Sequence, residues 1–260
     1  MPRPICVMGT ITLLLALTGC GSSSSSSPST SVAGPWSGSY TLSSSSAFNN
    51  VQMGAFSSGD NGYFADNNGD VYVLTDVSGS APFTANLTAI APPGQTFTNG
   101  QSAINFSVTG TYLPSGSGIN MRATFVENDN QGTLSGSFNL TSDNPYSGTS
   151  TLSNLMGQWS GYYVGNTGTS ITLDFGSAGT FAGSDGYGCV INGSLAQDAS
   201  NADLYDVDLN SSGENCAGSV QGLAYESSTD VTGAFGGASG TYLYLAVYGT
   251  FSAYLMELKL

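Results

Sequence analysis

The chain of 260 residues contains no histidine and only three lysine and arginine residues, and both shortages exclude functions. Without histidine it can form neither a Ser-His-Asp triad nor a Cys-His pair, and it has no histidine to bind a metal ion. Three basic residues are too few to neutralise the phosphates of a nucleic acid, so we expect no nucleic-acid partner. Charged residues make up 8% of the chain, against about 25% in an average globular protein.

The residues that are abundant indicate a folded protein with many turns. Hydrophobic residues make up 40% of the chain and aromatic residues 11%, whereas global disorder requires low hydrophobicity and high charge. The 36 glycines are about twice the usual share. We therefore expect a chain that folds into short elements separated by tight turns.

Residues 1–19 are organised like a secretory signal peptide. An apolar run covers residues 5–17, which is too short to cross a hydrocarbon core that requires about 20 residues. The run ends in a motif that resembles the lipobox of bacterial lipoproteins, Leu17-Thr18-Gly19-Cys20. This resemblance implies that signal peptidase II cleaves before Cys20 and that lipid, including palmitate, is attached to this cysteine.

Residues 20–33 are then the lipidated cysteine and a flexible Ser-rich tether, with the sequence GSSSSSSPSTS over 21–31. Such a spacer would hold a folded domain away from the bilayer. An aspartate directly after the lipidated cysteine would resemble a signal for retention in the inner membrane. This chain has Gly21 at that position, so the resemblance favours the outer membrane. We expect a lipid-anchored protein of the bacterial cell envelope, and the alternative is a secreted protein in which Cys20 is incidental.

Cys189 and Cys216 remain after Cys6 leaves with the signal peptide and Cys20 takes lipid. A single pair of cysteines in an exported protein predicts one disulfide bond. Closing a loop of this length would stabilise the fold by about 3–4 kcal/mol in the chain-entropy model. The alternative is a redox or metal-binding thiol pair, which the absence of CxxC spacing and of histidine disfavours.

A repeated motif divides the rest of the chain into two halves. The sequence GPWSGSY at 34–40 returns as GQWSGYY at 157–163, so Trp36 and Gly38 correspond to Trp159 and Gly161. The repeat predicts two tandem domains, 34–150 and 151–260. Coincidental recurrence inside one large sheet protein is the alternative.

Within each half the hydrophobic residues alternate with polar ones, which is the period of a β-strand with one buried face. Clusters of Gly, Asn, Asp and Ser between the strands are typical of hairpin turns. We predict an all-β chain with about eight short strands in each half, folded as two antiparallel β-barrels, and two-sheet sandwiches are the alternative. The motif around Trp159 resembles the first strand of meander barrels such as avidins and lipocalins, which implies that the tryptophan ring closes the barrel floor.

One strand near the C-terminus has two apolar or amphipathic faces. In TYLYLAVY at 241–248, Tyr242, Tyr244 and Tyr248 lie on one face, and leucine and valine lie on the other. We expect the aliphatic face to lie in the core and the tyrosine face to be a binding surface for a partner or a sugar. Contact between the two domains, or aromatic pairing on an ordinary surface, is the alternative.

The acidic turn that contains Asp66, Asn68 and Asp70 resembles the front of a calcium-binding loop. The resemblance ends at Val71 and Val77, where such a loop has glycine and glutamate. Asn, Asp and Gly are also the residues that hairpin turns use. We therefore predict a turn here, keep these three residues as a weak metal-site candidate, and expect no cofactor.

The densest group of carboxylates supports only a weak catalytic hypothesis. It consists of Asp198, Asp203, Asp206 and Asp208. A suitably spaced pair could hydrolyse glycosides, but Asp206 and Asp208 should point to solvent, where an acid catalyst's raised pKa has no cause. We expect a non-catalytic protein that binds an unidentified protein, small molecule or glycan, or has a structural role. The alternative is an envelope carbohydrate-active hydrolase.

Overall fold

The protein folds into two closed antiparallel barrels of eight strands each. The structure is a computed structural model, and Val32–Leu260 form one compact unit. It describes residues 34–42, 48–56, 61–66, 69–79, 82–92, 95–97, 100–115, 118–127, 135–141, 151–198, 203–214, 216–228, 230, 235–249 and 252–260. The prediction of an all-β fold with two barrel-like domains is confirmed.

In the first barrel each strand pairs with the next along the chain, and the last pairs with the first. Its strands are β1 Gly34–Leu42, β2 Phe48–Phe56, β3 Gly62–Asp66, β4 Val71–Gly79, β5 Phe83–Ile90, β6 Ala103–Ser115, β7 Gly118–Glu127 and β8 Ser135–Thr141.

The second barrel repeats this topology and closes between its first and last strands. A short 3-10 helix, Leu152–Leu155, precedes it. Its strands are β9 Gly157–Tyr163, β10 Asn166–Phe175, β11 Thr180–Asp185, β12 Val190–Gln197, β13 Leu204–Ser212, β14 Gly218–Ser227, β15 Tyr242–Tyr248 and β16 Ala253–Lys259.

The glycine of each repeated motif lies at the seam where its barrel closes. Gly38 of β1 pairs with β8, and Gly161 of β9 pairs with β16. A Cβ atom on Gly38 would lie 2.1 Å from the carbonyl oxygen of Asn139, and one on Gly161 would lie 1.8 Å from that of Glu257. Any side chain at these two positions would therefore force the closing strand away.

The inward positions of the second barrel are filled by its own side chains. Trp159 is fully buried, and its indole N–H donates to the carbonyl oxygen of Leu155 at 2.7 Å, which ties β9 to the 3-10 helix. The core also contains Ile171, Leu173, Phe175, Phe181, Ile191, Leu195, Tyr205, Val207, Leu209, Val220, Leu243, Leu245, Val247, Met256 and Leu258. In the first barrel Trp36 lies in the corresponding core.

A third apolar cluster joins the two barrels, and we call it the inter-barrel cluster. It packs Tyr63, Ala65, Val71, Val73 and Ile90 of the first barrel with Val164, Leu204, Leu223, Tyr225, Tyr242, Tyr244, Ala246, Ala253 and Leu255 of the second. These side chains point out of their own barrels, because their strand neighbours point into the cores. Both barrels thus bury part of their outer surface against each other.

The predicted disulfide bond between Cys189 and Cys216 is confirmed, with 5.8 Å between the two Cα atoms. Cys189 lies in the hairpin between β11 and β12, and Cys216 lies in the turn between β13 and β14. The bond therefore ties together two turns at the same end of the second barrel.

Candidate functional site

The tyrosine face of β15 belongs to the inter-barrel cluster. Tyr242 and Tyr244 are fully buried, Tyr244 stacks on Tyr225 with 5.2 Å between ring centroids, and Tyr248 contacts Tyr63 of the first barrel at 5.5 Å. The predicted exposed binding surface is therefore wrong for Tyr242 and Tyr244, and contact between the two barrels describes their position. The alternating pattern defines two strand faces, but it does not show which outer face a neighbouring barrel covers.

Asp66, in the weak metal-site candidate, is fully buried at the end of β3. Its Oδ2 accepts hydrogen bonds from the hydroxyls of Tyr40 at 2.8 Å and Tyr72 at 3.4 Å, and its Oδ1 accepts one from the backbone N–H of Asp70 at 3.0 Å. Burial, with a smaller contribution from the charge of Asp66, raises the pKa of Asp70 to about 7. Asn68 lies outside the described residues, and across the described part of the chain no cluster of three His, Cys, Asp or Glu residues could hold a metal ion.

The second barrel has the same arrangement, with Asp185 at the end of β11. Its Oδ2 accepts a hydrogen bond from the hydroxyl of Tyr163 at 2.7 Å, and its Oδ1 accepts bonds from the backbone N–H groups of Tyr187 at 3.0 Å and Cys189 at 2.9 Å. Tyr163 occupies the position that Tyr40 has in the first repeat. Asp185 was not among the residues predicted from the sequence, although the repeated Asp-x-x-Gly of DNNG at 66–69 and DGYG at 185–188 was a signal for it.

These hairpins border a cleft of about 310 Å³ at the junction of the barrels, which we call the tyrosine cleft. Three tyrosine rings line it: Tyr163 from β9, Tyr187 from the β11–β12 hairpin and Tyr254 from β16. The ring centroid of Tyr163 lies 6.2 Å from that of Tyr187 and 5.2 Å from that of Tyr254. The first barrel contributes Gly69, Pro92 and Gln95 to the lining.

The backbone at Gly69 brings the first barrel close to the cleft. Gly69 has a φ of +85°, and a Cβ atom there would lie 2.4 Å from the carbonyl oxygen of Val164. Only glycine combines this left-handed conformation with so close an approach. The hairpin of the first barrel can therefore form part of the lining because its fourth residue has no side chain.

The charges in the tyrosine cleft are all negative. Asp185 and Glu214 line it, and its described lining contains neither lysine nor arginine. Glu214 is near the disulfide, because the Cys216 sulfur lies 3.6 Å from the Glu214 carbonyl oxygen. Burial and the charge of Asp185 raise the pKa of Tyr254, so its hydroxyl stays protonated at neutral pH.

The carboxylates of β13 point outward, as the alternation predicts. Asp206 and Asp208 are exposed between buried neighbours, and Asp198 is buried beyond the end of β12. Partial burial of the carboxyl group, with the charges of Asp198 and Asp208, nevertheless raises the pKa of Asp206, which the alternation alone did not predict. Burial also raises the pKa of Asp203.

Asp208 lines an open polar groove on the outer face of β12–β14. Its Oδ1 accepts a hydrogen bond from the side-chain amide of Gln221 at 2.9 Å, and Asn192, Ser194 and Asn210 lie beside them. Asp208 is the one carboxylate in the described lining of this groove. Most glycosidases use a pair of carboxylates across the scissile bond, whereas the described lining of this groove holds one.

No protein-family model matches the chain, and no curated protein matches it. In the portion of the chain that the structure describes, no helix has the length and apolar character needed to span a membrane.

Proposed function

We propose that this protein is a lipid-anchored, non-catalytic binding protein of the bacterial cell envelope, and that its ligand binds in the tyrosine cleft. The observation that supports this best is the position of the cleft. It lies at the junction of two barrels, where ligand sites frequently form, and its volume is at the lower end of the range for small-molecule pockets.

The interior of the second barrel supports an external site over an internal one. Large side chains such as Trp159, Phe175 and Phe181 occupy the space where a ligand-binding barrel has its cavity. Trp159 packs edge-on against Phe175 with 6.3 Å between ring centroids, and Phe175 lies 4.9 Å from Phe181. Recognition in this barrel therefore falls to the outer surface and the turns.

The hydrogen bonds of Asp185 support a non-catalytic role. This carboxylate accepts bonds from one tyrosine hydroxyl and two backbone N–H groups. Both of its oxygens are therefore engaged in positioning its own hairpin. In this proposal Asp185 shapes the tyrosine cleft and does not react with a ligand.

The lipid anchor is proposed from the lipobox that ends at Cys20 and from the Ser-rich tether that follows it. Several acyl chains would give far more stable attachment than a single chain, and the tether would let the barrels stand clear of the outer membrane. In cells treated with globomycin we expect the uncleaved precursor to accumulate. Normal maturation in its presence, or unchanged membrane association of Cys20→Ala, would argue against the anchor.

The binding proposal is tested by capture from envelope extracts with the purified full-length mature protein. The wild type is compared with Tyr187→Leu, which removes an exposed ring from the tyrosine cleft, and with Val190→Ala, which trims an exposed side chain on the next strand. We expect a captured ligand to be lost with Tyr187→Leu and retained with Val190→Ala. Identical capture by all three proteins would contradict a site in this cleft.

A further inference from the structure

The tyrosine cleft brings three aromatic rings together at moderate angles to one another. The Tyr163 and Tyr187 ring planes meet at 31°, and those of Tyr163 and Tyr254 at 40°. Tyr187 is 61% exposed, although it is a large aromatic side chain. The side-chain amide of Asn166 donates a hydrogen bond to its hydroxyl.

The charges in and around the tyrosine cleft indicate which charge a ligand against these rings should have. Asp185 and Glu214 contribute negative charge, its described lining has no basic residue, and the whole chain has a formal net charge of −14. The face of an aromatic ring is itself electronegative and attracts cations. Rings, carboxylates and net charge therefore all favour a positive ligand.

A neutral sugar would use the same tyrosine rings, but it would place no positive charge opposite Asp185 and Glu214. The Tyr163 hydroxyl donates to Asp185, so it is not available as a donor to a sugar. A zwitterionic lipid headgroup is disfavoured too, because its phosphate would lie near Asp185 and Glu214. A small free cation without a phosphate meets neither difficulty.

From this geometry we infer that the tyrosine cleft binds a small organic cation, with a quaternary or protonated amine against the rings of Tyr163, Tyr187 and Tyr254. This inference rests on the proposed binding function and adds the chemical class of the ligand. Glu214 would supply an adjacent counter-charge, and the disulfide would hold its turn beside the Tyr187 hairpin.

The test uses the full-length mature protein with four small probes, followed by NMR of the tyrosine ring protons and by calorimetry. The probes are tetramethylammonium, choline, its uncharged analogue 3,3-dimethyl-1-butanol, and phosphocholine. We expect saturable binding of the first two, with at least about tenfold weaker binding of the uncharged analogue and of phosphocholine. Higher salt should weaken the binding of choline.

Variants of the protein then measure separately what the Tyr187 ring, its hydroxyl and the charge of Glu214 contribute to binding. Tyr187→Phe keeps the ring and should bind choline nearly as well as the wild type, whereas Tyr187→Leu should weaken binding about fivefold or more. Glu214→Gln should weaken it severalfold, while Asp208→Asn removes the same charge from the separate polar groove and should leave it unchanged. Loss of binding in Tyr187→Phe would point to recognition of the hydroxyl and would overturn the inference.

The outcomes also distinguish this inference from the binding function on which it rests. Equal affinity for choline and its uncharged analogue, or no binding of either cation, would overturn the choice of a cationic ligand. If capture from envelope extracts still depended on Tyr187 in that case, the binding function would stand without a cationic ligand. If capture did not depend on Tyr187 either, both proposals would fail.

Discussion

Glu257 should make the stability of the protein depend on pH in the direction opposite to most acidic residues. It is fully buried on the outer face of β16, where the hydroxyl of Tyr244 donates a hydrogen bond to its Oε1 at 2.5 Å. Its pKa is raised from the ordinary 4.5 to about 8, chiefly by burial; the hydrogen bond from Tyr244 lowers it, and the side chain and charge of Asp230 raise it. Asp230 is held by the backbone N–H groups of Phe235 and Gly237 at 3.0 and 2.7 Å.

The sign follows from which state of the protein binds the proton. Below pH 4.5 Glu257 is protonated in both the folded and the unfolded chain, so it adds no pH dependence. Between pH 4.5 and about 8 the unfolded chain releases the proton and the folded one retains it, so the free energy of unfolding falls as pH rises. At about 1.4 kcal/mol per pH unit, the free energy of unfolding would fall by about 5 kcal/mol across this whole window. Local relaxation and hydration of the buried carboxyl group should reduce this fall to about 2 kcal/mol.

The perturbation is Glu257→Gln, which keeps the shape of the side chain and cannot ionise. Urea unfolding of the oxidised protein at pH 5 and pH 8 measures the free energy in both forms. Between pH 5 and pH 8 the free energy of unfolding of the wild type should fall by about 2 kcal/mol more than that of the variant. The variant should be the more stable protein at pH 8. Asp70→Asn serves as a comparison, because the raised pKa of Asp70 in the first barrel acts in the same direction. Equal losses in wild type and Glu257→Gln would refute the reasoning.

Three further changes test the architecture by thermal and urea unfolding. Gly161→Ala places a methyl group against the closing strand and should destabilise the protein by about 2 kcal/mol or more. In the control Gly168→Ala, the new methyl group meets only a side-chain atom at 3.5 Å, so this change should have little effect. Equal effects of the two changes would contradict a sterically closed seam. Reduction of the disulfide that Cys189 forms should lower the free energy of unfolding by about 3–4 kcal/mol for its separation of 27 residues. An unchanged melting curve in strong reductant would count against that stabilisation. Tyr40→Phe removes a hydroxyl that donates to the buried carboxylate of Asp66 and should cost about 1–3 kcal/mol, and wild-type stability of this variant would show that Asp66 does not depend on the bond.

The sequence predicted the features that depend on local pattern and on pairs of like residues. Alternation identified the strands and the outward direction of Asp206 and Asp208, and the count of cysteines identified the disulfide. It did not predict that Tyr242 and Tyr244 are buried. Their burial depends on the first barrel packing against β15, and no pattern within β15 records a surface that lies about 180 residues earlier in the chain.

The candidate site was missed for a related reason, since it is formed where the two repeats differ. Both repeats share a tyrosine that donates to an aspartate at the start of a hairpin, as Tyr40 does to Asp66 and Tyr163 does to Asp185. The hairpins then diverge, from DNNGD at 66–70 to DGYGC at 185–189, so the second alone gains an aromatic ring and a disulfide. The shared residues account for the fold of both barrels, and the ring of Tyr187 is needed for neither core. A side chain that the fold does not require, held over a cleft beside two carboxylates, is therefore the first place to test for ligand binding.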